Sequence, residues 1–473
     1  MRESTQVLVA GGGPAGSTAA TLLAQQGFDV ALLERETFPR YHIGESLPVS
    51  TLRILDLLGV REKVDAHGFV RKYGSYFEWG AEQWSLPFSH LDGEDKYSWQ
   101  VKRSEFDKIL LDHARSVGVD VSEGTRVADV EFADGAPAAA HWSTGSSSGR
   151  IGFDYLIDAS GRAGVLSRGK LQDRVFHDVF KNVALWSYWR DASPTGRGPQ
   201  GSVAVCSVPG GWVWIIPLHD GTTSVGFVTG KDRLAKERER LGGPDEVYRD
   251  ALRRCELASQ VLHTANRVSP LQAETDYSYA AARFCGSRYF LAGDAACFLD
   301  PLLSTGVHLA NFSGMLAAAA IGSILRGEVS EDDALSFYER VYRNSYTRFL
   351  TLVSVFYSAY RGKDAYFFEA QSLTREKRRD LGVGKAFLDI VSGIEDLSDA
   401  DDETAFEFLR NRFTGMEGGS PVPLSHHNTY LDEPPTGPES AVFGMYLTRT
   451  PELGLRYSAK TSPVPYATPT TDA

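Results

Sequence analysis

A glycine-rich turn between two apolar runs fixes how this chain begins. Gln6-Val-Leu-Val-Ala10 reads as a buried strand and Gly11-Gly-Gly-Pro-Ala-Gly16 as the turn after it. Ser17 to Gln26 carries Ala and Leu at helical spacing until Gly27 stops it. Phe28 to Leu33 is a second strand ending in Glu34, eighteen positions after Gly16. The pattern is G-x-G-x-x-G within a complete strand–helix–strand unit, and each part serves the binding of a dinucleotide. Gly11 permits the tight turn, Gly13 lets backbone N–H groups approach a pyrophosphate, and Gly16 lets helix and strand pack closely. The start of the helix, with Ala15 and Ser17, brings positive potential to the phosphates, and Glu34 can accept from a ribose hydroxyl.

A second informative stretch is Leu291-Ala-Gly-Asp-Ala-Ala-Cys-Phe-Leu-Asp-Pro-Leu-Leu-Ser-Thr-Gly306. Gly293 and Asp294 end a strand, where a carboxylate can hold a ribityl chain. The loop and the N-terminus of a helix beginning near Val307 would face an isoalloxazine ring and offer backbone donors to an anion. Between the two stretches the texture changes. Strands alternate at Val183–Trp189, Ser202–Val208, Gly211–Pro217 and Thr223–Val228, followed by a charged helix, Asp245–Arg254, as expected of an antiparallel second layer. NAD dehydrogenases usually keep their nucleotide fold contiguous, so a fold split by such an insertion favours FAD.

The expected architecture is therefore α/β with an α+β insert: a Rossmann-like FAD-binding domain, an inserted antiparallel sheet and a helical C-terminal region. The FAD-binding domain takes residues 1–174 and 270–330, including substrate-side strands within 70–100. The sheet domain takes 175–269. Residues 331–473 form the helical region, with helices at Asp332–Phe368 and within 371–415 and a loop-rich tail over 417–473. A helix over Ser104–Val117 has Ser104 and Asp107 at capping-box spacing. A length of 473 residues suits two or three domains, and a net charge of −12 argues against general nucleic-acid binding. Four cysteines without metal-ligand spacing fit free thiols of a reducing cytoplasm, and no metal site is expected. The first strand starts too near Met1 for a signal peptide, and the apolar run Met315–Leu325 is too short to span a bilayer.

Gly11–Gly16, Asp158-Ala-Ser-Gly161 and Gly293-Asp294 resemble the aromatic-hydroxylase class of flavoproteins. Within that class, Trp212-Val-Trp-Ile-Ile-Pro217 is similar to the W-x-W-x-I-P motif of the flavin-dependent halogenases. Phe298-Leu-Asp-Pro301-Leu-Leu-Ser304-Thr-Gly306 is similar to their F-x-x-P-x-x-S-x-G. Lys72, in Gly68-Phe-Val-Arg-Lys72, aligns with the family's catalytic lysine. The resemblance runs from residue 5 to about 375. It is nearest to the phenol-directed branch, with the glycopeptide tyrosine halogenases and those of aromatic polyketide and enediyne pathways.

The resemblance implies a reaction of FADH2 with O2 to a flavin C4a-hydroperoxide. Chloride attacks it to give hypochlorous acid, which reaches the substrate beside Lys72. The lysine either orients the acid by a hydrogen bond or becomes a chloramine. The backbone amides of Thr305 and Gly306 are implied as halide donors. Trp212 and Trp214 alternate onto one face of a strand; with Pro217, Pro301 and Ser304 they form the implied barrier between flavin and substrate. Gly11, Gly13, Ala15, Gly16, Ser17, Glu34, Arg40, Arg103, Asp294 and Val307 are the implied cofactor contacts, and Glu45 lies in a loop that passes near the ring in relatives. The indole-directed branch places a glutamate before the motif serine, where this chain has Leu303; a phenol activates its own ortho carbons when it ionises. His90, His113 and His308 are the possible bases. The implied partners are a separate NADH-dependent flavin reductase and an aromatic small molecule, free or tethered to an acyl or peptidyl carrier protein. The aromatic-rich segment Phe337–Phe368 is helical core, an active-site cover or a docking face. An FAD monooxygenase of the same fold and a non-catalytic flavin-binding scaffold are the alternatives.

Overall fold

The computed structural model describes residues 2–80, 82–90, 96–361, 438 and 441–458. Ser4–Ala10 runs parallel to Val30–Leu33 on one side and to the second half of Ser148–Asp158 on the other. Tyr289–Leu291 and Asp120–Ser122 extend this sheet outward, also in parallel. Its central strands are covered on both faces, which is why Val7, Leu8 and Val9 form an unbroken buried run rather than an alternation. Helix Pro14–Gln25 packs against Arg103–Ser116 and against Gly306–Leu325. The last crossing is very close: a Cβ on Gly314 would lie 2.4 Å from the Ala15 carbonyl oxygen. Gly306–Leu325 is long and apolar enough to cross a membrane by length and composition, and it is the buried core helix of this fold.

The second sheet follows the order Cys297–Phe298, Gln272–Ala281, Arg174–Arg190, Thr222–Gly230, Gly211–Pro217, Val203–Val208, Gly74–Trp79, Glu82–Pro87. Its pairings are antiparallel except that of Val203–Val208 with Gly74–Trp79. Alternate residues of Gly211–Pro217 serve different cores. Val213 and Ile215 pack with Val247, Tyr248 and Leu252 of helix Pro244–Arg254. Trp212, Trp214 and Ile216 belong to the cluster continuous with the nucleotide sheet.

Three sequence expectations change. Gln272–Ala281 and the strands Gly74–Trp79 and Glu82–Pro87 of the 70–100 stretch, all read as part of the nucleotide domain, belong instead to the second sheet, the first paired with Arg174–Arg190 and the others next to Val203–Val208. The helix at Arg103–Ser116 is preceded by Lys102 and has no side-chain cap; Asp107 is drawn into an ion pair with Arg103 and leaves Ser104 without its box partner. The tail read as loop contains the hairpin Met445–Thr448 with Gly454–Tyr457, docked on the core helix through Leu455 N–H to Ser323 Oγ at 2.8 Å. The long helix Glu331–Arg361 follows the aromatic pattern, and Phe337, Tyr338, Tyr342, Tyr346, Phe349 and Tyr357 bury one stripe of it. The last residues of the Asp332–Phe368 reading and the helices expected within 371–415 lie outside the described residues.

Candidate functional site

The turn at residues 11–16 is a cradle that only glycine permits. Gly11 has φ +110, and a Cβ on Gly16 would sit 1.9 Å from the Gly11 carbonyl oxygen. Beside Gly13 the nearest side-chain atom is Nη2 of Arg40, 3.4 Å from where a Cβ would stand. Glu34 is buried and accepts from Gly12 N–H at 2.6 Å and Glu36 N–H at 2.8 Å. Ser17 turns inward, donating to the Gly12 carbonyl at 2.9 Å, and so holds the turn. Gly293 stands at φ +59 against Ala15, so the second glycine motif closes on the first. The Asp294 carboxylate has no protein hydrogen-bond donor among the described residues, and burial raises its pKa above the ordinary carboxylate value, opposed by Arg162, Arg103 and Arg174. A cradle a Cβ would fill and a carboxylate without a protein donor among the described residues fit the phosphates and polyol chain of FAD.

Arg40 and Arg103 converge on Asp107. Arg103 grips it through Nε at 2.8 Å and Nη2 at 3.0 Å, while Nη1 donates to the Ile43 carbonyl at 2.9 Å. Arg40 Nη1 lies 3.1 Å from the same carboxylate. Arg103 thus spends its donors on the protein and fixes the strap Ile43–Ser46; Arg40 is the arginine that reaches the cradle. Asp158 is also used internally, accepting from Ser160 and from Leu166 N–H.

Beyond the strap lies Lys72, at the end of Val70–Lys72, which pairs with Ser98–Gln100. Its neighbour Arg71 is exposed and paired with Asp65, whereas Lys72 is 3 % exposed. The Lys72 Nζ donates to Ser46 Oγ at 2.8 Å and to the Leu47 carbonyl at 3.1 Å, 5.5 Å from the centre of the Phe88 ring. Among the described residues no carboxylate pairs with it, and burial lowers its pKa to about 7.

Trp212 and Trp214 stand with ring centres 5.9 Å apart. The Trp214 indole donates to Ser224 Oγ at 3.2 Å, over a gap made by Gly226, where a Cβ would lie 2.1 Å from the ring. The Trp212 indole donates at 2.8 Å to the hydroxyl of Tyr357, near the end of the long helix. Tyr357 donates to Asp300 Oδ2 at 2.9 Å, and Asn182 reaches the same oxygen at 2.8 Å. Sequence reasoning missed Asn182, Asp300 and Tyr357; Asp300 stood inside the quoted motif.

Pro217 ends its strand, Pro301 opens the short turn Pro301–Leu303, and Ser304 stands at φ +59 just before helix Gly306–Leu325. Thr305 is buried with its hydroxyl oxygen unpartnered, and no atom lies within 4 Å of where a Gly306 Cβ would be. The start of that helix at Gly306 therefore borders open space, and its first-turn amides have no intrahelical carbonyl to bond. Two of the three candidate bases can be placed, and the His90 side chain lies outside the described residues. His113 is bonded to Lys63 at 2.9 Å and to the Leu58 carbonyl at 2.7 Å, and His308 is buried between Phe312 and Phe349. All four cysteines are buried and free. His67 and His219 both lean on Glu105, at 2.6 and 3.0 Å, with Lys102 3.9 Å from the same carboxylate.

A family model described as FAD binding domain matches residues 4–348. A tryptophan 2-halogenase of Chondromyces crocatus is 45 % identical over 405 residues, covering 84 % of this chain and 77 % of that protein. The sulochrin halogenase gedL of Aspergillus terreus is 42 % identical, covering 74 % and 68 %. Among solved structures, the flavin-dependent halogenase CmlS superposes with a TM-score of 0.74 at 36 % identity, over 88 % of this chain and 78 % of its own. The myxobacterial chondrochloren halogenase CndH gives 0.72 at 32 %, over 89 % and 99 %. With the glycine cradle and the free Asp294 carboxylate in agreement, the chain belongs to the flavin-dependent halogenases, enzymes that work with FAD, O2 and a halide.

Proposed function

We propose that this halogenase chlorinates a phenolic ring, with Lys72 directing hypochlorous acid onto it. The single observation that carries the reading is a buried lysine with no carboxylate partner among the described residues, its ammonium anchored by a hydroxyl and a carbonyl. An ammonium has three donors, so two bonds leave one for the oxidant. Bound FAD, reduced by a separate NADH-dependent flavin reductase, supplies with O2 the oxidant that converts chloride to hypochlorous acid. Glu34, Gly11, Gly13, Ala15, Gly16, Ser17, Arg40, Asp294 and Val307 hold the cofactor, while Arg103 sets the strap. Thr305 and Gly306 offer amides to chloride. Trp212 and Trp214, backed by Pro217, Pro301 and Ser304, keep the flavin from oxidising the ring directly.

Leu303 supports a phenol, since no carboxylate stands before Ser304 to take a ring proton. The 45 % identity to a tryptophan 2-halogenase favours a second reading, an indole substrate. The test is mass spectrometry of products from free and carrier-bound phenolic acids and from tryptophan, with reductase, NADH, O2 and chloride, beside Lys72→Ala. A chlorine isotope pattern on a phenol, lost in a variant that still binds FAD, is the expected result. Chlorinated tryptophan alone would select the second reading, and an oxygenated product formed by both proteins would make the chain a hydroxylase.

A further inference from the structure

Chlorination by reduced flavin takes up a proton. FADH2, O2, chloride, an aromatic C–H and one proton become FAD, an aromatic C–Cl and two waters. If Trp212 and Trp214 screen the reaction as proposed above, it must be supplied with protons from outside. One continuous line of hydrogen bonds leads in. Tyr41 is 53 % exposed and its hydroxyl lies 3.0 Å from that of Tyr188. Tyr188 donates to Glu45 Oε1 at 2.8 Å, and Glu45 is 3 % exposed with Oε2 buried and unpartnered. The Trp186 indole donates to Tyr41 at 2.5 Å and its ring stands 6.3 Å from Trp214, so the line runs along the tryptophan wall.

Resting on the chlorination reading, we propose that Tyr41, Tyr188 and Glu45 form a proton wire from solvent to the flavin side of the strap, with Glu45 the terminal donor. Consecutive side chains of the strap divide the work: Ser46 receives Lys72 while Glu45 receives Tyr188. Tyr41 takes a proton from water and releases its own to Tyr188. Tyr188 releases its own to Glu45 Oε1, and Glu45 gives up the proton on Oε2. One O–H bond forms and one breaks at each hydroxyl, with no net charge left behind. Burial holds Glu45 up to about 7, against the opposing pull of Ser224, Tyr188, Arg103 and Lys102. Burial raises Tyr41 to about 12 and Tyr188 further, so both relay as neutral hydroxyls. The carboxyl is therefore charged with a proton below pH 7 and empties as pH rises through that value.

The test starts with flavin-free protein, titrated by infrared difference spectroscopy. A protonated-carboxyl band should vanish with a midpoint near pH 7 in the wild type, be missing in Glu45→Gln and shift its midpoint in Tyr188→Phe. In turnover, Glu45→Gln should lower kcat about a hundredfold with KM for the aromatic substrate unchanged. Tyr188→Phe should give a smaller kcat loss with an enlarged solvent isotope effect, and Tyr41→Phe, altered at the exposed end, should follow in the same direction. Lys72 titrates in the same range, so the infrared band rather than the rate profile separates the two groups. A band that survives Glu45→Gln, or wild-type kcat and isotope effect in both tyrosine variants, would overturn the wire. Were the wild type to yield only oxygenated product, the chlorination reading would fail, and the infrared midpoints would still decide the wire.

Discussion

Lys72→Met should reveal what it costs to keep an amine in this core. The ordinary lysine value of 10.5 falls to about 7 at Lys72 because burial disfavours the charged form. At about 1.4 kcal/mol per pH unit, that depression opposes the ammonium by roughly 5 kcal/mol. The sign follows from proton counts. Between pH 7 and 10.5 the unfolded chain holds the proton and the folded chain does not, so folding stability rises with pH across that window and is flat outside it. From pH 6 to pH 9 the wild type should gain about 3 kcal/mol relative to the methionine variant, since only the two units above 7 count. Urea unfolding of both proteins at pH 6, 7.5 and 9 measures the gap, because groups elsewhere titrate equally in both. The variant should be the more stable protein at pH 6, bind FAD normally, and lose ring chlorination by about two orders of magnitude or more. Stability curves that run parallel across the pH range would refute the reasoning, as would chlorination at the wild-type rate.

Gly16→Ala drives a Cβ to 1.9 Å from the Gly11 carbonyl, so the helix must lift off the turn and FAD affinity should fall by more than about tenfold; wild-type affinity by flavin fluorescence would contradict this. Tyr357→Phe removes the acceptor of the buried Trp212 indole and the donor to Asp300, and should cost about 1–3 kcal/mol in unfolding experiments, a loss that Trp212→Phe in the same chain should reduce only by the indole's share. Gly226→Ala presses on the Trp214 ring and should cost about 1–3 kcal/mol while releasing hydrogen peroxide in place of chlorinated product; coupled turnover measured by peroxide yield would count against the barrier.

The sequence made the cradle readable because its logic is local: Gly11, Gly16 and Glu34 lie within one strand–helix–strand unit. Lys72 was legible through a motif, and its burial was not, since that depends on Ser46, Leu47 and Phe88 folding over it. Arg103 was seen as a cofactor contact because position cannot reveal that Asp107 and two strap carbonyls engage its donors. Tyr357 and Tyr188 escaped for a related reason. Tyr188 meets Glu45 across 143 residues and Tyr357 meets Trp212 across 145, beyond the reach of any periodicity. Helix Lys231–Leu241 passed unnoticed because only Leu234 on it is buried, leaving no apolar stripe to read. Gln272–Ala281 looked like nucleotide-domain sequence since pairing partners are chosen by the sheet as a whole.

The strand Gly211–Pro217 stands between two cores that do not exchange neighbours. Its even-numbered side chains join the core of the nucleotide sheet, on the side we propose for flavin and aromatic substrate, while Val213 and Ile215 answer to Tyr248 and the helix beyond. Selection for a new substrate and selection for a sturdier fold can therefore act on alternate letters of the same seven-residue word. A lineage, or an engineer, can rewrite one set while leaving the other to drift at its own pace.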